Sequence, residues 1–232
     1  AEKDSYLVKA YGDRYFGLRD AAKMGAIRER IKTMNVEGRM RSALIASLLY
    51  SADRIANTCG HYDAFRSKTP DDNLFHLYPL SIPKKNDNKG NEIHNKDVLS
   101  LVEGLSCQIA YLDPPYNSRQ YCDAYHVLEN IARWEKPPLV GKAKKFDRRF
   151  LKSLFNLKEA ASAFEKLIDK LRCPYVLVSY SNMEGKGDAR SRNRISGKEL
   201  IDTLSKRGSV DVFERPFKAF SAGKSVVLDH AE

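Results

Sequence analysis

In the run Ile109-Ala110-Tyr111-Leu112-Asp113-Pro114-Pro115-Tyr116, an acid, two prolines and an aromatic follow directly on an apolar stretch. The chemistry open to such a group is the activation of an amine. An exocyclic amine on an aromatic ring is a poor nucleophile, because its lone pair is delocalised into the ring. The carboxylate of Asp113 accepts one of its N–H bonds, and the backbone carbonyl of Pro114 accepts the other. Hydrogen bonds to charged acceptors are worth about 1.5–3 kcal/mol each. Two acceptors set off the ring plane draw the nitrogen toward tetrahedral geometry and localise its lone pair. Tyr116 offers a face on which a heterocycle stacks, at roughly 1–3 kcal/mol by analogy with base–aromatic stacking. An amine held in this way attacks an electrophilic methyl group directly, with no covalent protein nucleophile. The competing reading is a structural turn, since prolines and aromatics cluster there as well.

These groups need a strand that stops. Residues 107–112 have the length and β-rich composition of a buried strand. Pro114 and Pro115 cannot continue a ladder or open an ordinary helix interior, so the chain leaves the strand in a stiff, extended turn. In open α/β sheets the carboxyl ends of strands are where ligands bind.

Around that strand, Met24, Ile27, Ile31 and Met34 predict a helix with Asp20 as its candidate N-cap. Met40, Leu44, Leu48, Ala52 and Ile55 mark a second helix beyond Gly38. From 57 to 89 the pattern dissolves into polar and turn residues, with a short strand at 74–80. A further short strand at Ile93 leads to Asp97, placed near the cap of a helical turn. Residues 121–134 read as one helix ended by Pro137-Pro138, and 161–171 as an amphipathic helix. Then come a strand at 175–180, a helix at 197–207 closed by Gly208, and strands at 210–213 and 225–228. This order predicts an α/β protein with a mostly parallel sheet and an antiparallel edge hairpin. Residues 1–90 form a helical and loop region, a candidate target-recognition segment, and 91–232 form the α/β core.

Composition narrows the class. The chain has 232 residues, enough for one or two domains, and a net charge of +10. With a pI near 9.3 it attracts polyanions. No apolar run approaches the ~18 residues of a membrane span, and no secretory leader is evident. Cys59, Cys107, Cys122 and Cys173 are scattered, which favours unpaired thiols in a reducing, cytoplasmic setting and argues against a zinc site. His94 and His126 have no second ligand at metal spacing, so structural roles are expected.

With these residues in view, Asp113-Pro114-Pro115-Tyr116 resembles the catalytic motif of the amino-group DNA methyltransferases, specifically the DNA adenine-N6 family of restriction–modification systems. The resemblance runs through Tyr15-Phe16, Ile27-Arg28, Leu48-Leu49, Ala56-Asn57-Thr58 and Gly60. It continues in Asn117-Ser118-Arg119-Gln120-Tyr121, Tyr125-His126-Val127-Leu128-Glu129 and Ser179-Tyr180-Ser181-Asn182. It implies a Rossmann-like fold that uses S-adenosyl-L-methionine, with a mainly helical insert, acting on double-stranded DNA. By resemblance, Asp113, Pro114, Pro115 and Tyr116 are the catalytic set, and Tyr116, Tyr121, Tyr180 and Asn182 line the pocket of a flipped base. Asp97 and Asp113 serve the cofactor, although a plain helix cap explains Asp97 equally well. Two basic loops, with Lys144, Lys145, Arg148 and Arg149 in one and Arg190, Arg192 and Arg194 in the other, join Arg119 as DNA contacts. Their competing reading is a pair of solvated loops.

One part of the family pattern is missing. A Phe-x-Gly-x-Gly loop normally follows an early strand, and nothing here fills that role. The chain therefore reads as the C-terminal portion of such an enzyme, with the glycine loop in a preceding segment or a partner polypeptide. Two alternatives stay open: cytosine-N4 methylation by the same amine chemistry, and a DNA-binding subunit that is inactive without its cofactor-binding partner. Cytosine-C5 chemistry is excluded by the absence of a Pro-Cys pair.

Overall fold

The acid–proline turn leaves a two-stranded parallel sheet, β1 (Ile109–Leu112) and β2 (Tyr175–Val178), with Ile109 opposite Tyr175 and Leu112 opposite Val178. The computed structural model describes residues 5–36, 38–82, 84–181 and 194–215. Its contacts divide the chain into two units, Ala1–Glu92 with Tyr121–Phe150, and Ile93–Gln120 with Leu151–Glu232. The chain crosses between them at 92/93, 120/121 and 150/151. Residues 121–150, however, group with the N-terminal unit and not with the expected core.

The second unit holds the sheet, α4 (Val98–Leu101), α7 (Ala160–Lys170) and α8 (Gly197–Ser205). Ala160, Ala163, Phe164, Leu167 and Ile168 recur at helical spacing along α7 and make its buried stripe. Ala110, Leu112, Val176 and Val178 pack against the core that this stripe forms with Val102, Phe155, Ile195 and Leu200. The strands are not buried on both faces as expected: Ile109, Tyr111, Tyr175 and Leu177 are 56–68% exposed. Among the described residues one face of this small sheet has a packed layer, so burial alternates along each strand. Arg207 closes α7 by donating to the carbonyls of Ile168 and Leu171. A capping box opens α8, with Ser196 and Glu199 each accepting the other's backbone N–H.

Two expected strands here are not formed. Ile93 is 97% exposed and unpaired in any ladder. Residues 210–213 are irregular, with Phe213 81% exposed and no strand beside them among the described residues. Their expected partner at 225–228 lies outside the described residues.

The first unit holds α1 (Tyr6–Tyr11), α2 (Leu18–Thr33), α3 (Gly38–Asp53), α5 (Tyr121–Ala124) and α6 (His126–Arg133). Leu7, Tyr11, Tyr15, Phe16, Met24, Leu48, Tyr62, Val127 and Ile131 make its core. The N-cap of α2 is Gly17, not Asp20. The cap is supplied from a distance, since the Asp72 carboxylate accepts the N–H groups of Arg19 and Asp20, each at 3.1 Å. A Cβ on Gly17 would sit 2.6 Å from the Asp71 carbonyl oxygen, so the close approach requires glycine. Asp20, fully buried, in turn accepts Leu74 N–H at 2.8 Å and Phe75 N–H at 3.2 Å.

The same logic explains why 74–80 is not a strand. The N–H groups of Tyr78 and Leu80 bond to the hydroxyls of Ser51 and Ser47 on α3, at 2.8 and 2.9 Å. Helix side chains supply the acceptors that a sheet would otherwise provide. Helix C-termini are closed by arginines. Arg41 donates to the carbonyls of Ile31 and Met34, and Arg28 to those of Ile131 and Ala132. The single helix expected over 121–134 breaks at Tyr125, whose φ of −122° and ψ of 21° separate α5 from α6.

Candidate active site

One residue beyond the strands, Ser179 N–H donates to the Leu112 carbonyl at 2.9 Å. The carboxyl ends of β1 and β2 thus stay tied where the acidic turn departs. Pro114 is buried and Pro115 half-buried, while Asp113 is exposed and Tyr116 is 39% exposed. The prolines fasten the turn and leave the carboxylate and the ring open to solvent.

The turn is clasped from the far side. The Tyr116 carbonyl accepts Arg194 N–H at 2.7 Å and the Tyr180 hydroxyl at 3.3 Å. That hydroxyl also accepts Ile195 N–H at 3.1 Å. The rings of Tyr116 and Tyr180 meet edge-on, with centroids 6.4 Å apart. Burial raises the Tyr180 phenol above its ordinary value, partly offset by the donated Ile195 and Arg194 N–H groups. The hydroxyl of Tyr180 is committed to holding backbone.

The loop after Tyr116 is held by two buried amides that the sequence reading missed. Asn156 Nδ2 donates to the carbonyls of Asn117 and Arg119 at 2.7 and 2.9 Å. Gln120 exchanges both amide bonds with the Ser153 backbone, at 2.9 and 2.8 Å. Arg119 N–H closes an Asx turn on Asn117 Oδ1 at 2.9 Å. A signal was available in Leu154-Phe155-Asn156-Leu157, where one amide interrupts an apolar run. Asn156 Oδ1 is buried without a hydrogen-bond partner among the described residues.

Asp97 is exposed at the N-cap of α4, and its Oδ1 accepts Leu99 N–H at 2.9 Å. Asp97, Asp113, Pro114, Pro115, Tyr116, Arg119, Tyr180 and Arg194 therefore all belong to the second unit. Tyr121 belongs to the first, 66% exposed and stacked on Tyr125 with centroids 6.1 Å apart and planes 16° apart. Asn182, Arg190 and Arg192 lie outside the described residues.

The first basic loop is more engaged than its composition suggests. Lys145 lies 2.7 Å from Asp63 and 3.8 Å from Asp123, and Arg148 also pairs with Asp123. The two basic side chains are only 23% and 18% exposed. Arg149 pairs with its neighbour Asp147 at 2.6 Å and draws that carboxyl down to about 2. Lys144 sits half-buried in a turn with φ of 53°. Arg119 is exposed, and Arg194 is half-buried with its Nε unpartnered among the described residues.

Among the described residues no helix is long and apolar enough to cross a membrane, and no group of three His, Cys, Asp or Glu side chains is placed to hold a metal. A cavity of about 910 Å³ in the first unit, with Tyr6, Phe75 and Trp134 in its wall, includes none of the candidate residues.

The carboxyl end of β1 thus presents a carboxylate and an aromatic ring, spaced by prolines and clasped by Tyr180 and Arg194. Residues 3–183 match the family of D12 class N6 adenine-specific DNA methyltransferases, and the chain belongs to that family. It is similar to the modification methylase LlaI of Lactococcus lactis subsp. lactis, with 34% identity covering 91% of this chain and 34% of the relative. Modification methylase StsI of Streptococcus sanguinis is 32% identical, over 90% of this chain and 32% of the relative. Type II methyltransferase M.NlaIII of Neisseria lactamica is 29% identical, over 94% and 63% respectively. The chain thus spans about a third of the length of the first two relatives. No solved structure matches it.

Proposed function

We propose that this chain carries the amine-activating part of a DNA adenine-N6 methyltransferase, the modification enzyme of a type II restriction–modification system. The observation that carries the reading is the exposed Asp113 carboxylate beside the exposed Tyr116 ring, at the carboxyl end of β1 in a chain of this family. S-adenosyl-L-methionine supplies an electrophilic methyl group when bound. Asp97 and Asp113 are the residues of this chain that would help to hold that group. Asp97 spends one carboxylate oxygen on its helix cap and stays exposed, leaving an acceptor for the cofactor's N–H or O–H donors.

In this reading the target adenine is flipped from the duplex, at a cost of a few kcal/mol, and stacks on Tyr116. Asp113 and the Pro114 carbonyl accept its two amino N–H bonds and localise the lone pair. Tyr180 and Asn182 complete the base pocket, with Tyr180 acting chiefly through its hold on the Tyr116 backbone. Double-stranded DNA meets the basic side chains of Arg119, Arg194, Lys144, Arg149, Arg190 and Arg192. Lys145 and Arg148 contribute charge from positions fixed by Asp63 and Asp123. Such a substrate places the protein in the cytoplasm. The family description favours adenine over cytosine-N4 as the target.

The test is methyl transfer from labelled S-adenosyl-L-methionine to duplex DNA by the full-length protein and its Asp113→Ala variant. Loss of transfer with DNA affinity kept within about twofold is expected, because an interaction made mainly in the transition state is removed. Near-normal transfer by the variant overturns the assignment.

A further inference from the structure

Arg54, just beyond α3, packs against two tyrosine rings. Its guanidinium carbon lies 4.8 Å from the centroid of Tyr78 and 5.7 Å from that of Tyr50. The two rings meet edge-on at 6.4 Å and 89°, and Arg54 Nη1 donates to the Tyr50 hydroxyl at 3.3 Å. All three side chains are exposed. Among the described residues Arg54 has no carboxylate partner, whereas Lys145, Arg148 and Arg149 all do.

The arrangement is built from the helix outward. Tyr50 and Arg54 are four residues apart, which sets them on one face at the end of α3. Tyr78 comes from the segment that Ser51 and Ser47 fasten to the same helix, its own N–H on Ser51 Oγ at 2.8 Å. The position of each ring is therefore fixed by a hydrogen bond or a helix turn, not by ring contact alone.

An exposed arginine normally gives up side-chain freedom when it binds. Here the contact with the Tyr78 ring and the hydrogen bond to the Tyr50 hydroxyl hold the guanidinium plane, and its remaining N–H groups are left to meet a ligand. A phosphate accepts hydrogen bonds from many directions and gains little from a preset plane. A base edge accepts only in its own plane, and O6 with N7 of guanine is the pair that a planar arginine fork matches in the major groove. A lysine ammonium has no plane to orient.

We propose that Tyr50, Arg54 and Tyr78 form a guanine-reading element of the first unit, directed at the major groove of duplex DNA. The inference rests on the reading of the chain as a DNA-modifying protein and adds the base edge that one side chain recognises.

The test is selection of bound sites from a randomised duplex library by the full-length protein, its Arg54→Lys variant and its Arg54→Ala variant, with thermal midpoints measured alongside. Wild type is expected to retain a fixed G·C position. Both variants are expected to lose that preference by roughly 5- to 150-fold while keeping the rest of the consensus and the midpoint. An unchanged consensus overturns the inference. So does uniform weakening on every sequence with a shallower salt slope, which marks a phosphate contact. If wild type enriches no sequence, the guanine-reading role fails. The functional reading fails separately, only if Asp113-dependent transfer to DNA is absent.

Discussion

The hydroxyl of Tyr180 donates to the carbonyl oxygen of Tyr116 at 3.3 Å, joining positions 64 residues apart. It simultaneously accepts the N–H of the buried Ile195 at 3.1 Å. One oxygen thus ties together the acid–proline turn, the end of β2 and the entry to α8. Tyr180→Phe removes both bonds and strands the Ile195 N–H, a loss of about 1–3 kcal/mol. The ring stays, so packing is preserved. Tyr116 loses one of its two backbone restraints, Arg194 N–H at 2.7 Å being the other. The thermal midpoint is expected to fall by a few degrees, and methyl transfer by about tenfold, mostly through a higher KM for DNA. Steady-state kinetics at two DNA concentrations separates that result from a uniform loss of folded protein.

Aspartate and alanine at position 156 should act differently from each other. Asn156→Asp is nearly isosteric, yet it sets a carboxylate against the carbonyls of Asn117 and Arg119 in place of the two N–H bonds that now reach them. Repulsion then adds to the lost donors, so Asn156→Asp should destabilise the loop more than Asn156→Ala does. A difference of about 1–2 kcal/mol is expected, within the range for unpaired buried polar groups. Gln120→Ala frees the Ser153 N–H and carbonyl and should match Asn156→Ala. Hydrogen exchange of the amides at 117–120 and 153–156 reads the effect directly. Equal protection in the aspartate and alanine variants would refute it.

What could be read from the sequence, and what could not, follows from the range of the interactions. α7 and α3 were legible because their apolar spacing is local and their own side chains set it. Asp113, Pro114, Pro115 and Tyr116 were legible because residue types alone dictate a strand end with a carboxylate. The cap of α2 was misassigned, since the acceptor that serves it comes from Asp72, 52 residues beyond Asp20. Residues 74–80 are apolar enough for a short strand, but the N–H groups of Tyr78 and Leu80 found Ser51 and Ser47 before any sheet. The pairing of Lys145 with Asp63 spans 82 residues, so a count of charges in one loop could not detect it. Helices and motif were local; caps, clamps and ion pairs were not.

That ion-pair cluster yields the next expectation. Arg148 and Lys145 share Asp123, and Lys145 also reaches Asp63. Removing either cation leaves a carboxylate short of its partner in a partly buried setting. Arg148→Ala should therefore lower stability by about 1–3 kcal/mol. Arg149→Ala removes only an exposed pair, worth about 0–1 kcal/mol. In DNA binding the order should reverse once folding is accounted for, with Arg149→Ala and Lys144→Ala reducing the salt slope more than Arg148→Ala. Urea unfolding beside salt-dependent DNA titration tests both halves. Equal stability losses in Arg148→Ala and Arg149→Ala would contradict the assignment.

His126 should govern the response of the first unit to mild acid. It is fully buried, with Nε2 2.9 Å from the Tyr62 carbonyl, so the neutral ring carries its proton on Nε2 and donates. Its Nδ1 is buried without a partner among the described residues. A second proton would have no acceptor. Burial depresses the imidazole to about 4, and nearby Lys145 and Arg148 push the same way against the Tyr62 carbonyl and Asp63. The unfolded chain titrates near the ordinary value of about 6.5. Above that pH both states hold a neutral ring, and stability is independent of this group. Below it the unfolded state binds the proton first, so stability falls as pH drops and levels off only below about 4. The full loss is on the order of 3 kcal/mol. Carboxylates held below their ordinary values, Asp63 and Asp72 among them, make their own contributions at lower pH. His126→Gln retains a side-chain donor for the Tyr62 carbonyl but cannot titrate. Urea midpoints measured from pH 8 to pH 4 should slope downward in wild type below about 6.5 and lie flatter in the variant. Parallel profiles would show that some other group sets the acid response.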